Sequence, residues 1–219
     1  GRGHLRPIVV LPNPLYHVYI GAALTSGAEV IYAPCTAATD FAPDLSVVPE
    51  DDWERVALVI ATNPGNPTGT LLSAAFMKAA ILRAREHDFT FLSDECYSEL
   101  YFDTKPLGAM DICRDMGGSL DNVWVVNSLS KRSGLPGLRS GFIAGDADRL
   151  EDLYYLRAYG GAQTPVALQE ASIRLWRDET HVEKFRARYA AINQIAHDIV
   201  GELPGLRAPE AGLVLWPPA

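Results

Sequence analysis

Residues 127–142 read NSLSKRSGLPGLRSGF, directly after the apolar run VWVV at 123–126. Lys131 therefore falls just past the end of a predicted strand, among small and hydroxylated residues. Taken alone, such a lysine is ordinarily a solvated surface amine. The segments around it along the chain give it another reading.

Working outward, short β-branched runs alternate with helical stretches. The strand candidates are Pro7–Leu11, Glu29–Tyr32, Val56–Ala61, Thr90–Ser93, Val123–Asn127 and Ser140–Ala144. Several are apolar throughout, the pattern of strands covered on both faces. The helical candidates are Ser73–His87, with Ser73 as N-cap, then Asp148–Tyr159, Val166–Arg177 and Thr180–Leu203. This β-α alternation predicts an α/β fold: a mainly parallel sheet with helices on both faces. Residues 1–178 are expected to form the large domain. Residues 179–219 are expected to be a connecting helix and the start of a small α+β domain, with LVLW (213–216) opening a strand. The chain starts without Met almost at a strand and stops just after LVLW, so further segments are expected on each side.

Composition narrows the function. The 219 residues are 48% hydrophobic with a formal charge of −8, which argues against nucleic-acid or anionic-membrane surfaces. Three cysteines, Cys35, Cys96 and Cys113, are too few for a disulfide framework and lack a CxxC spacing, so a reducing cytoplasm is the expected setting. The five histidines form no metal-like cluster. No apolar run reaches the ~18 residues of a membrane helix, and no signal peptide is visible.

Open α/β sheets collect ligands beyond the carboxyl ends of their strands. Here the chemically suggestive residues fall at such ends: PNPLY (12–16), NPGNPTG (64–69 with Asn63), SDECY (93–97) and NSLSK (127–131). Each has a bland reading. Asp94 alone is most simply a structural ion pair or cap, NPGNPTG a tight turn, and Lys131 a surface amine. Four such loops at one rim make a pocket.

The order Asn66, Asp94 with Tyr97, SLSK ending at Lys131, and Arg139 eight residues later resembles the fold-type I pyridoxal 5'-phosphate (PLP) aminotransferases. The resemblance runs from PNPLY to the end. Within that group, SLSKRSGLPGLRSGF and SDECYSELYFD are most similar to the N-succinyldiaminopimelate aminotransferases of lysine biosynthesis. The resemblance implies that Lys131 forms the Schiff base with PLP and shuttles the substrate proton. It implies that Asp94 accepts the pyridine N–H, and that Tyr97 and Asn66 hydrogen-bond the ring's phenolic oxygen. Ser128 and Arg139 would hold the phosphate, Tyr16 would stack on one ring face, and Cys96 would pack under the other. Arg132 and Arg139 are expected to supply positive charge that favours the neutral amine of Lys131.

The resemblance further implies glutamate as amino donor, a 2-oxo acid as acceptor, and a homodimer in the intact enzyme. A lyase, an aspartate-type transaminase, or a cofactor-binding or dimerisation module without turnover are the alternatives on the same scaffold. Both Asn13–Pro14 and Asn66–Pro67 are expected to be cis. Tyr155, Tyr159 and Trp176 are expected in the core or an interface, and HVEKFRARY (181–189) on a solvated helix face. Gln163 and Thr164 are expected near a neighbouring subunit. The family's Gly-rich phosphate loop and the arginine that grips the substrate carboxylate have no match in this sequence.

Overall fold

The computed structural model describes residues 6–161 and 164–216 of the chain, so the expectation placed on Gln163 lies outside the described residues. Six strands form one sheet: β1 (Ile8–Asn13), β2 (Glu29–Pro34), β3 (Val56–Thr62), β4 (Thr90–Asp94), β5 (Val123–Ser128) and β6 (Gly141–Gly145). Their order is β2-β1-β3-β4-β5-β6. All neighbours are parallel except β5 and β6, which run antiparallel. All six strands predicted from the sequence are present, each within two residues of its expected ends.

The helices are α1 (Val18–Thr25), α2 (Ala74–Glu86), α3 (Ala109–Asp115), α4 (Leu129–Arg132), α5 (Ala147–Gly160), α6 (Val166–Arg177) and α7 (Thr180–Val200). Helix α2 shows why the sequence folds as it does. The Ser73 hydroxyl accepts the Phe76 N–H at 3.1 Å, satisfying an otherwise unpaired first-turn donor. Met77, Ala80, Ile81 and Ala84, spaced i, i+3, i+4, i+7, are then buried against the sheet.

The strands alternate sides with period two. On β4, Phe91 belongs to a large core with Trp53, Phe89, Met77 and Ile81, under α2 and α3. Leu92 packs instead on a smaller cluster of Val9, Leu11, Ala23, Ala28 and Ile60, under α1.

The order reverses between β1 and β3: the chain steps outward from β1 to β2, then returns to the other side of β1. That switch point opens a crevice at the carboxyl ends of the strands. Because β6 is antiparallel, its amino end lies at the same rim.

Several expectations are corrected. LVLW forms no strand. Instead Ala211 bridges Tyr101, and Gly212 N donates to Leu100 O at 2.7 Å, so this segment lies back on the sheet domain. Of the expectation that placed Tyr155 and Tyr159 in the core or an interface, only the core half is corrected: they are 57% and 91% exposed in the single chain. Trp176 meets Phe142 edge-on at 5.1 Å. HVEKFRARY is not simply solvated. Val182 is fully buried, and Arg186 bonds the Glu99 carbonyl at 2.9 Å and its carboxylate at 2.6 Å while covering the Tyr101 ring at 4.1 Å.

Candidate active site

At the crevice lies a cavity of about 300 Å³. It is lined by Tyr16 and Tyr19 after β1, Thr62 at the end of β3 and Asn66 beyond it, and Asp94 at the end of β4 with Cys96 and Tyr97 beyond it. Ser128 at the end of β5, Ser130 and Lys131 just beyond it, and Pro136 and Arg139 before β6 complete the lining. All eight residues selected from the sequence, Lys131, Asp94, Tyr97, Asn66, Ser128, Arg139, Tyr16 and Cys96, are thus brought to one cavity.

Asp94 is the electrostatic centre. It sits at the last position of β4, on the same side as Leu92, so the strand delivers its carboxylate into the crevice under α1. Its Oδ1 accepts the Cys96 N–H at 3.1 Å, and its Oδ2 accepts the Tyr19 hydroxyl in a short bond. A carboxylate has about four lone-pair sites, so acceptor capacity remains for a ligand N–H. Burial, and then the adjoining Asp94 charge, push the Tyr19 phenol far above its usual range, which keeps it a donor. The same two causes, burial first, push the Cys96 thiol up. A neutral thiol is a poor nucleophile, in keeping with packing rather than attack. The Tyr97 phenol is also raised, by burial and then by Asp94.

Opposite these groups, Asn66 Nδ2 donates to the Tyr97 hydroxyl at 3.5 Å. The Lys131 ammonium nitrogen lies 5.5 Å from the Tyr97 ring centroid, within cation–π range. Asn13–Pro14 and Asn66–Pro67 are cis as expected, and Asn63–Pro64 is cis as well. Asn63 anchors the Asn66 loop: it is buried, takes the Leu72 N–H on Oδ1 at 3.0 Å and donates from Nδ2 to Leu107 O at 2.8 Å.

Lys131 is carried on α4, a single turn rather than a strand end. Ser128 caps it, accepting the Ser130 N–H at 3.0 Å, and the Ser128 and Ser130 hydroxyls lie 2.9 Å apart. Arg139, exposed and in the left-handed region at φ 49°, donates to Pro136 O at 2.8 Å. Arg132 is a correction: it turns away from the cavity, is 4% exposed, and bonds Leu175 O at 2.9 Å and the Glu179 carboxylate. Its charge is directed to Glu179 rather than to Lys131.

Tyr19, Thr62, Ser130 and Pro136 were not selected from the sequence. Tyr19 lies in the first turn of α1, three residues after Tyr16, and the two rings meet edge-on at 5.7 Å.

Known proteins bear on what this site is. The family model for aminotransferase class I and II matches residues 6–218. The chain belongs to the class I and II aminotransferase family. It is 35% identical over 167 residues to the 4-dedimethylamino-4-oxo-anhydrotetracycline transaminase OxyQ of Streptomyces rimosus, covering 74% of this chain and 45% of that protein. It is 30% identical over 220 residues to the LL-diaminopimelate aminotransferase of Oleidesulfovibrio alaskensis, covering 95% of this chain and 54% of that one. The solved aminotransferase of Neisseria meningitidis Z2491 superposes with TM-score 0.91 at 38% identity, over 99% of this chain and 55% of that chain. The chain spans about half the length of the relatives it matches.

Class I and II aminotransferases of this fold use PLP, and the residues present fit it. The cavity offers an amine for the aldehyde, a carboxylate with spare acceptor capacity for a ring N–H, and paired hydroxyls with a guanidinium for a phosphate.

Proposed function

We propose that the protein is a PLP-dependent aminotransferase that moves an amino group from an amino acid, with glutamate as donor, to a 2-oxo acid. We extend this to N-succinyldiaminopimelate transamination, with the corresponding succinylated 2-oxo acid as acceptor, and so to lysine biosynthesis. SLSKRSGLPGLRSGF, SDECYSELYFD and the LL-diaminopimelate aminotransferase relative support that narrower reading. The observation that carries the activity is a lysine amine and a buried-rim carboxylate facing one cavity, with a hydroxyl–amide pair beside them.

Bound there, PLP supplies an aldehyde for amine exchange and a cationic ring that accepts charge from the substrate Cα. Asp94 would accept the ring N–H and keep that nitrogen protonated, with Tyr19 and the Cys96 amide fixing the carboxylate's orientation. The Tyr97 hydroxyl and Asn66 amide would donate to the ring's phenolic oxygen. Ser128, Ser130 and Arg139 would take the phosphate, Tyr16 would cover one ring face, and Cys96 would pack on the other. Lys131 holds the cofactor at rest. With a substrate amine in its place, the Lys131 Nζ would be the base positioned to take the substrate Cα proton and carry it.

Free thiols at Cys35, Cys96 and Cys113 support a reducing, cytosolic setting. The exposed Tyr154, Leu156 and Tyr159 on α5 support a homodimer. Among the described residues no helix is long and apolar enough to cross a membrane.

Mixing the chain with PLP and recording its visible absorbance, in wild type and in Lys131→Ala, tests the reading. A visible band is expected in the wild type, abolished by Lys131→Ala and bleached by glutamate. No band in the wild type would sink cofactor binding at this site. A band that glutamate leaves unbleached would restrict this chain to cofactor binding.

A further inference from the structure

Helix α4 is one turn long, and a single turn has no stability of its own because nucleation outweighs its one or two hydrogen bonds. Something else fixes the depth at which Lys131 enters the cavity. The three residues after it supply the answer, since each engages the elbow between α6 and α7.

Arg132 points away from the cavity and is 4% exposed. Its Nη1 donates to Leu175 O at 2.9 Å, its Nη2 to the Glu179 carboxylate, and its guanidinium lies 5.2 Å from the Trp176 ring centroid. Ser133 Oγ lies 2.8 Å from His181 Nε2, and His181 Nδ1 lies 2.9 Å from Asp178 Oδ2. Gly134, at φ +64°, leaves no room for a side chain, because a Cβ there would sit 2.6 Å from Phe185 Cζ. Leu175 and Trp176 end α6, Asp178 and Glu179 form the elbow, and His181 and Phe185 open α7.

The Ser133–His181–Asp178 line has the atom order of a nucleophile, base and acid. However, the Ser133 N–H, which in such sites often faces an oxyanion, is bonded to Leu129 O at 3.1 Å. The line is a strut, not a second catalytic centre.

We propose that Arg132 and Ser133 are positioning residues: they clasp the turn carrying Lys131 to the α6–α7 elbow and so set where the Lys131 amine stands. This rests on the reading of Lys131 as the cofactor's amine. Arg132 suits the role because its planar fork serves two acceptors in fixed directions, whereas a lysine is a single point charge.

The test uses the full chain in two states. In the PLP-free chain, amide exchange is measured over residues 128–135. In the PLP-loaded chain, the pH midpoint of the visible band is measured, since it depends on where the lysine nitrogen stands. The variants are Arg132→Met, Arg132→Lys and Ser133→Ala. Arg186→Met serves as control, because Arg186 anchors the same α7 to Glu99 and Tyr101 rather than to the lysine turn.

Arg132→Met is expected to raise exchange at 128–135 by about tenfold and to move the midpoint by about one pH unit. Arg132→Lys recovers part of both, and Ser133→Ala shows a several-fold smaller change in the same direction. Arg186→Met lowers overall stability and leaves the midpoint in place. Wild-type exchange at 128–135 in folded Arg132→Met and Ser133→Ala would overturn the clasp, as would a midpoint shift in Arg186→Met as large as theirs. Should Arg132→Met fail to fold, Ser133→Ala and Arg132→Lys decide. Should the wild type take up no PLP, the reading of Lys131 fails, and exchange at 128–135 alone decides the clasp.

Discussion

The two faces of the sheet are built from the same strands and do different work. Under α2 and α3, Trp53, Met77, Ile81, Phe89 and Phe91 form a continuous large-residue core. Under α1, the buried set is only Val9, Leu11, Ala23, Ala28 and Ile60. Following one strand across the divide shows the cause. In β3, Val59 and Ala61 face the thick side, while Ile60 and then Thr62 face the thin one. In β4 the same alternation gives Phe91 and Ser93 against Leu92 and Asp94. On β3 and β4 the thin face stops being apolar at the last residue, Thr62 and Asp94, and both line the cavity. A thick core on one side lets the other end its strands in polar groups, which could not stabilise a fold themselves.

The largest effect that would break this contrast comes from the thick face. Trp53→Ala removes a fully buried indole stacked between His87 and Phe89. It is expected to cost about 3–5 kcal/mol in urea unfolding. On the thin face, Tyr19→Phe removes one donor to Asp94, which keeps the Cys96 N–H. A loss of about 1–2 kcal/mol is expected by the same measurement. A Tyr19→Phe loss exceeding that of Trp53→Ala would mean that the thin face carries the fold.

The smallest effect lies at the opposite end of the sheet. Asp146 caps α5, accepting the Asn122 N–H at 2.7 Å and the Arg149 N–H at 3.2 Å. Burial alone would raise its pKa, but those amides and the Arg149 guanidinium outweigh it and hold the carboxyl below its usual value. With the folded pKa depressed, the stabilisation is present above the unfolded value of about 3.9 and is lost as pH falls through the folded one. Asp146→Asn keeps a capping oxygen and removes the charge. It should cost about 0.3–1 kcal/mol at pH 7, with the gap to wild type closing below about pH 4. A gap that persists unchanged at pH 3 would show that the charge contributes nothing there.

The strands were legible because continuous β-branched runs such as LVI and VWVV have few other stable environments, and the rim followed from where those runs end. The eight site residues were legible because their types and order are distinctive. What the sequence did not show was local direction. Nothing in SLSKRS says that Lys131 and Arg132, adjacent on a one-turn helix, project to opposite sides, so Arg132 was assigned to the wrong one. Tyr19 was hidden because α1 follows a proline and is nearly uniformly apolar, VYIGAALT, with no polar face to set its period. LVLW has the composition of a strand, but the backbone before it is taken up by distant partners near Gly69 and Leu100.

Those partners bear on how sequences of this kind vary. Gly69, at φ +67°, accepts both the Glu210 N–H at 2.9 Å and the Ala211 N–H at 3.1 Å on its carbonyl, and a Cβ on it would stand 2.5 Å from Pro209 Cβ. Positions 69 and 209–211, about 140 residues apart in the chain, form one unit of substitution. A relative with any side chain at the first must route its later segment differently, so the pair should covary. A glycine that looks like mere turn chemistry records the path of a strip of chain far downstream.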